Sequence, residues 1–101
     1  MDELIVIIKR HLKITWNDDD TNSEISELVS DAIQTMNHKL GIKEADADYT
    51  KPGQERTLFK MYCLYVWNRC TEDFDRAYLN EILQLRRKYE VKYAKEKASV
   101  Q

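Results

Sequence analysis

One run of the chain is apolar on nearly every side. From Leu58 to Trp67 only Lys60 is polar. A helix that is apolar all round is buried, and the Leu, Met and Cys residues, together with the length of the run, disfavour a strand. The pattern predicts a central helix near residues 55–70, more buried than any other. It is covered by its own fold, by neighbouring subunits, or by both. On this basis Leu64→Asp should abolish folding, since an unpaired buried charge costs several kcal/mol.

Amphipathic helices are predicted on both sides of this run. The first covers residues 2–13, with Leu4, Ile8 and Leu12 on one face. The second ends at Gly41, a left-handed cap, and its apolar stripe has helical spacing throughout. The members of that stripe are Ile25, Leu28, Val29, Ala32, Ile33, Met36 and Leu40.

A long final helix is predicted from about residue 73 into the nineties. Its stripe consists of Phe74, Tyr78, Ile82, Leu85, Tyr89 and Tyr93, supported by Leu79 and Leu83. Residues 94–101 lack an apolar face and are expected to fray. The sequence therefore predicts an all-α fold. It is a small bundle of about four helices with a helical domain over residues 1–93 and a flexible tail over residues 94–101.

The segments between the helices have no helical period. Residues 42–54 predict a partly mobile loop, and Pro52 is expected to open the central helix from its first turn. Trp16 is expected to fold back as an anchor on the core. His38 falls off the stripe of its helix and is expected in solvent. His11 has no partner at the spacing of a metal site.

Three consecutive carboxylates, Asp18 to Asp20, precede the second helix and suit its capping. Residues 21–24 fit a capping box. A calcium loop is the alternative interpretation of this run. It fails because Ser23 stands where such a loop needs Gly, and Val29 stands where it needs a bidentate Glu. No metal site and no cofactor are expected.

Length and composition indicate a single intracellular domain. The chain has 101 residues and a net charge of -2, so the total charge suggests neither nucleic acid nor an anionic membrane as a partner. The apolar run is too short to span a membrane, which needs about 20 residues. Cys63 and Cys70 lie two helical turns apart, beyond disulfide reach, and are expected to be reduced core thiols.

Charge is distributed unevenly along the chain. Residues 17–48 contain nine acidic against two basic residues, whereas residues 86–97 contain six basic against two acidic ones. The two segments are either solvated faces, or one end of a subunit attracts the other end of a neighbour. The second interpretation assigns subunit contact to Asp18, Asp19, Asp20, Arg86, Arg87, Lys88, Lys92, Lys95 and Lys97.

Local motifs for catalysis are absent from the sequence. It contains no Gly-rich phosphate loop, no H-E-x-x-H and no G-x-S-x-G. A chain with two Gly and few loops offers little scaffold for a preorganised site. The expectation is that the protein is not an enzyme.

Three stretches resemble the phage head–tail connector family, the small head-completion or adaptor proteins of tailed phages and prophages. They are IKRHLKITWNDDD, the helix SEISELVSDAIQTMNHKLGI, and the aromatic helix LFKMYCLYVWNR. The similar pattern is a short amphipathic helix, an L-x-I turn, a paired-Asp loop, a helix ending at Gly, and an aromatic helix ending in a polar pair. This chain departs from it in having three Asp residues and a short tail after Tyr93, which leaves little chain for an extended arm that grips the portal.

The resemblance implies a structural protein of the virion, made in the bacterial cytoplasm. Family members form a ring of neighbouring copies beneath the portal protein, extend the DNA channel without sequence-specific binding, and dock a tail-side completion protein. The resemblance therefore makes the charged residues named above candidates for contact with the portal as well as with a neighbouring subunit. Rival hypotheses are a small helical DNA-binding protein, such as a terminase small subunit or a repressor, and a cytosolic helical regulator. DNA binding needs a basic face on a recognition helix, and only the bases after residue 85 offer one.

Overall fold

The computed structural model describes residues 2–15 and 18–100. Over that part of the chain the fold is all-α, as predicted, with five α-helices and no strand. The helices are α1 (Asp2–His11), α2 (Asp19–Leu40), α3 (Gln54–Trp67), α4 (Phe74–Ala77) and α5 (Leu79–Val100). Single 3-10 turns occur at Glu44–Asp46 and Thr71–Asp73. Trp16, the predicted anchor, lies outside the described residues.

The helix with the most buried side chains is α2. It packs against α1, α3 and α5, and its buried residues are Ile25, Val29, Ala32, Met36 and Leu40. The buried residues of α3 are Leu58, Phe59 and Cys63, although no residue from Leu58 to Trp67 is fully exposed. α2 is the longer helix and three helices meet on it, so it has more fully buried side chains, but α3 has the smaller share of exposed residues. The prediction that α3 is the most buried helix therefore holds for the share of covered residues and not for the number of buried side chains, and one side of α3 stays partly open.

Leu64 lies on that partly open side of α3. It is only partly buried, and it belongs neither to the buried core nor to the apolar border packed against it. A carboxylate at this position has a path to solvent, so Leu64→Asp is no longer expected to abolish folding. Phe59, whose side chain is fully buried, is the α3 position where a charge would be trapped.

Both ends of α2 are capped by residues of the expected kinds. Its N-cap is Asp18 rather than Thr21, three residues before the predicted capping box. The Asp18 carboxylate accepts hydrogen bonds from the backbone N–H of Thr21 at 2.7 Å and from its hydroxyl at 2.9 Å. At the other end Gly41 takes φ 68°, which confirms the predicted left-handed cap. The cap is closed by the Ile42 N–H, which donates to the carbonyl of Asn37 at 2.9 Å.

The loop between α2 and α3 is held against the core. Tyr49 is buried, and its ring stacks on that of Phe59 with centroids 4.4 Å apart. The Tyr49 hydroxyl donates to Oδ1 of Asn37 at 2.6 Å. Pro52 precedes the first turn of α3, since Gly53 is the N-cap and the helix begins at Gln54.

The C-terminal segment forms one turn, α4, and then the long helix α5, with Tyr78 between them. The predicted stripe is confirmed. Phe74, Ile82, Leu85 and Tyr89 are buried, and Tyr78 and Tyr93 pack at the edge of the core.

Leu79 and Leu83 do not support this stripe, because each is 52% exposed. Successive residues of a helix are about 100° apart around its axis, so Leu79 and Leu83 point away from the core that the preceding residues, Tyr78 and Ile82, face. The apolar residues of α5 therefore occupy two faces, of which the fold covers one. The helix continues to Val100, so residue 94 is not a break in the backbone. Flexibility of the tail stays a prediction about motion.

The polar and sulfur side chains singled out in the sequence have different surroundings. His38 is exposed, as predicted. Cys63 and Cys70 are unbridged, with Cys63 buried and Cys70 partly buried. Burial raises the pKa of the Cys63 thiol to about 12. Cys63 is therefore an unreactive core thiol.

Candidate subunit-contact surfaces

The acidic end of the molecule is the N-terminus of α2. Asp18, Asp19 and Asp20 are all exposed there, where the helix dipole favours negative charge. The hydrogen bond from the Thr21 backbone is the main reason why the pKa of Asp18 lies below its ordinary value. Lys9 of α1 donates to Oδ1 of Asn22 at 2.8 Å and ties this end to the first helix. The Asp18 carboxylate therefore stays charged, and all three carboxylates are accessible.

Two of the predicted basic contact residues are engaged within their own chain. Lys88 pairs with Oε2 of Glu55 at 2.8 Å. Lys92 lies 3.9 Å from Oδ2 of Asp46 and also near two tyrosine rings of α5. Within the subunit Lys88 therefore connects α5 to the start of α3, and Lys92 lies beside the α2–α3 loop.

Other predicted bases of α5 are exposed. Arg86 and Arg87 are exposed and form no salt bridge with any residue in the described ranges. Lys95 and Lys97 are exposed as well. The assignment of these residues to portal or subunit contact stays a prediction, for which the structure supplies an accessible position.

Two tyrosines fasten the C-terminal half of α5. Tyr89 donates from its hydroxyl to Oε2 of Glu55 at 2.6 Å. Tyr93 donates to Oδ2 of Asp46 at 2.8 Å and accepts from the backbone N–H of Lys43 at 2.9 Å. The Lys43 ammonium also lies 4.5 Å from the centre of the Tyr93 ring.

Glu55 receives two of these contacts and remains ionised. Burial acts to raise its pKa, but the hydrogen bonds from Lys88 and Tyr89 outweigh burial and place the pKa below its ordinary value. The same cluster raises the pKa of the Tyr89 phenol, first by burial and then through the Glu55 carboxylate. Tyr89 therefore stays protonated and serves as a donor.

This fastening places the three carboxylates Asp18, Asp19 and Asp20 and the basic segment of α5 at opposite ends of α2, whereas Asp46 of the acidic segment lies beside α5. Tyr93 is bonded to Lys43, three residues beyond the C-terminus of α2, while Asp18 caps its N-terminus. A helix of 22 residues is about 33 Å long. The subunit is elongated, with extents of 52 × 28 × 19 Å. The carboxylates at the N-terminus of α2 and the bases of α5 are therefore too far apart in one copy to pair with each other.

A shallow groove lies between α2 and the C-terminal end of α3. Its volume is about 240 Å³. Leu28, Val66 and Trp67 supply apolar side chains, and Arg69 is the one basic residue of the lining. The acidic lining residues are Glu24, Glu27 and Asp31. The groove combines an apolar floor with an excess of negative charge.

His11 is the one side chain in residues 2–15 and 18–100 whose buried nitrogen, Nε2, lacks a hydrogen-bond partner. Partial burial lowers its pKa, and the nearby charge of Lys60 lowers it further, so the ring is neutral at pH 7. Among the described residues no group of three or more His, Cys, Asp or Glu side chains is placed to hold a metal ion. In the same residues no helix has the length and apolar character needed to cross a membrane.

Sequence reasoning missed the partners that hold α5. Lys43 and Asp46 lie in a segment without periodicity, and Glu55 opens α3 ahead of the apolar run. Nothing local relates them to tyrosines more than thirty residues away. The one available signal was that Tyr89 and Tyr93 carry hydroxyls on an otherwise core-facing stripe, and buried hydroxyls need partners.

Comparison of the chain with protein-family models, with curated proteins and with solved structures finds no match.

Proposed function

We propose that this chain is the subunit of a phage head–tail connector. In this role it forms a ring beneath the portal protein, extends the DNA channel and docks a tail-side completion protein at the head–tail junction of the virion. The proposal rests on the resemblance of three stretches of the sequence to that family. Its main structural support is the separation of acidic and basic ends along an elongated helical subunit.

A closed ring is built from head-to-tail contacts, so each subunit needs two different and complementary faces. The N-terminus of α2 supplies exposed carboxylates. α5 supplies exposed bases, including Arg86 and Arg87. Since these groups lie at opposite ends of one copy, they are available to its two neighbours.

Charge alone does not make such a ring stable in free solution. Exposed ion pairs contribute only ~0–1 kcal/mol each, and salt screens them. We therefore expect the free chain to be monomeric or weakly associated, and to form a ring when the portal aligns the copies. A net charge of -2 also suits a channel whose walls do not retain DNA phosphates.

Sedimentation velocity with and without a candidate portal protein tests the proposal. The free chain should sediment near its mass of 12.0 kDa at micromolar concentration, and a discrete complex with many copies should form with the portal. A tight, salt-insensitive dimer with two-fold symmetry would contradict the proposal, because a two-fold contact uses the same face twice.

A mobility-shift assay distinguishes the DNA-binding alternative. Duplex DNA should not shift at moderate salt, since the acidic half of the chain opposes the few exposed bases. A shift that depends on Arg86 and Arg87 would favour the DNA-binding hypothesis.

A further inference from the structure

α5 carries an apolar stripe that nothing in the subunit covers. In the described chain four large hydrophobic side chains are exposed, and three of them, Leu79, Leu83 and Val91, lie on α5. With Arg87 they form a series at intervals of four residues, which places all four along one side of a helix. We call these four residues the α5 stripe. Single exposed apolar side chains are ordinary, whereas an aligned set over about 18 Å of helix has the form of a contact surface.

The stripe is turned away from the groups that hold α5 in place. Ile82, Leu85 and Tyr89 face the core from another side of the helix. Arg87 forms no salt bridge with any residue in the described part of the chain. The α5 stripe can therefore receive a partner without disturbing the Tyr89 and Tyr93 contacts that fasten the helix.

The groove between α2 and α3, which we call the α2–α3 groove, has the complementary character. Leu28, Val66 and Trp67 offer partly buried apolar surface to the three hydrophobic residues of the stripe. Glu27 and Asp31 are exposed acids on the groove wall, and neither forms a salt bridge within residues 2–15 and 18–100. An arginine that lies among apolar side chains suits this groove, because its guanidinium can pair with the carboxylates while its neighbours pack on the apolar residues.

We infer that the α5 stripe of one copy docks in the α2–α3 groove of a second copy of this chain, with Arg87 facing Glu27 and Asp31. This inference rests on the proposed function in that it names the head-to-tail contact of the ring. Opposite charge on two different surfaces of one chain is the argument for a second copy as the occupant. When two copies join in this way, one copy keeps a free α5 stripe and the other keeps a free α2–α3 groove. Further copies can therefore add at both ends until the ring closes.

The contact is small. Three half-exposed hydrophobic side chains and one arginine bury far less than the roughly 1,200–2,000 Å² of a stable interface. It is therefore weak in isolation and becomes effective when the portal holds many copies at high local concentration.

Charge reversal at the contact tests the inference without the portal. Dilution from millimolar to micromolar concentration in low salt should shift amide resonances of the stripe and the groove in the unmodified protein. Glu27→Arg and Arg87→Glu should each weaken self-association by about tenfold or more, since like charges then face each other. Arg76→Glu, an exposed reversal on α4 outside both surfaces, is the matched control and should have no effect.

Mixing the two variants distinguishes a direct contact from a general effect of charge. In an equal mixture each unlike pair again places opposite charges together, so association should return to within about threefold of the unmodified protein. The double variant Glu27→Arg/Arg87→Glu should recover in the same way. Helical circular dichroism and melting should be unchanged throughout, because both side chains are exposed.

Several outcomes would overturn the inference. One is the absence of concentration-dependent association at millimolar protein. Another is a failure of the mixture to recover. A third is normal self-association of Arg87→Glu combined with loss of portal binding, which would assign the α5 stripe to the portal instead. If self-association follows the expected pattern but no portal is bound, the proposed connector function fails while the contact stands.

Discussion

Truncation of Phe59 should be among the most damaging single changes to this fold. The side chain is fully buried in α3 and its ring stacks on Tyr49, the residue that pins the α2–α3 loop to the core. Phe59→Ala removes that stacking partner and opens a cavity where α3, the loop and the core meet.

The magnitude follows from burial. Truncation of a buried Phe to Ala costs about 3–5 kcal/mol, including the cavity. Of this, the aromatic pair with Tyr49 accounts for roughly 0.5–1.5 kcal/mol. A domain of this size has a total free energy of unfolding of about 5–15 kcal/mol, so the variant should fold but keep a reduced margin. With a urea dependence of roughly 2 kcal/mol per molar, the midpoint should fall by about 2 M.

Urea denaturation followed by circular dichroism at 222 nm measures this loss. Leu64→Ala is the matched control on the same helix. It should cost less than about 1.5 kcal/mol, since a partly exposed side chain returns less apolar surface to water. The reasoning is refuted if Phe59→Ala loses no more stability than Leu64→Ala, or if the slope of the transition changes enough to signal loss of two-state unfolding.

Three further outcomes are expected. In the native protein iodoacetamide should modify Cys70 and leave Cys63 intact, because burial raises the pKa of the Cys63 thiol to about 12. The mass of the intact protein should show one adduct before denaturation and two after it. The depressed pKa of Glu55 makes its contacts stabilising above the pKa of the unfolded state, and that stability is lost as pH falls through the folded pKa. As the pH is lowered from 7 to 3, the urea midpoint should therefore fall less steeply for Glu55→Gln than for the unmodified protein. If the midpoint falls equally steeply in both proteins, Glu55 does not cause the loss of stability at low pH. Deletion of residues 94–101 should leave helical signal and melting temperature nearly unchanged, since residues 94–97 are exposed, while weakening assembly onto portal-bearing heads. Heads completed equally well by the truncated chain would exclude the tail as a docking element, and failure to fold would place the core boundary beyond residue 93.

Local pattern was sufficient to place the main helices, although not the interruption at Tyr78 between α4 and α5. The stripes of α2 and α5 repeat at helical spacing over several turns, and such a period is a property of neighbouring residues alone. Gly41 marks the end of α2 because the left-handed conformation costs a glycine little. Asp18 shows the limit of this reasoning, since several polar residues in a row are all competent caps and the sequence favoured a later one.

Tertiary structure decided which surfaces are covered. Periodicity placed Leu79 and Leu83 on an apolar helix, but their exposure depends on how far α2 and the loop extend around α5. The central position of α2 likewise depends on three helices meeting there, which an apolar run in α3 does not reveal.

The polar contacts of α5 were also beyond the sequence. The sequence placed Lys88 among the bases predicted to contact a neighbouring subunit or the portal. Only the fold brings the Glu55 carboxylate within 2.8 Å of its ammonium group. Helical periods and caps depend on residues within about four positions of one another, so the sequence by itself determines them. Burial and ion pairing depend on groups thirty or more positions apart, and those groups meet only once the chain has folded.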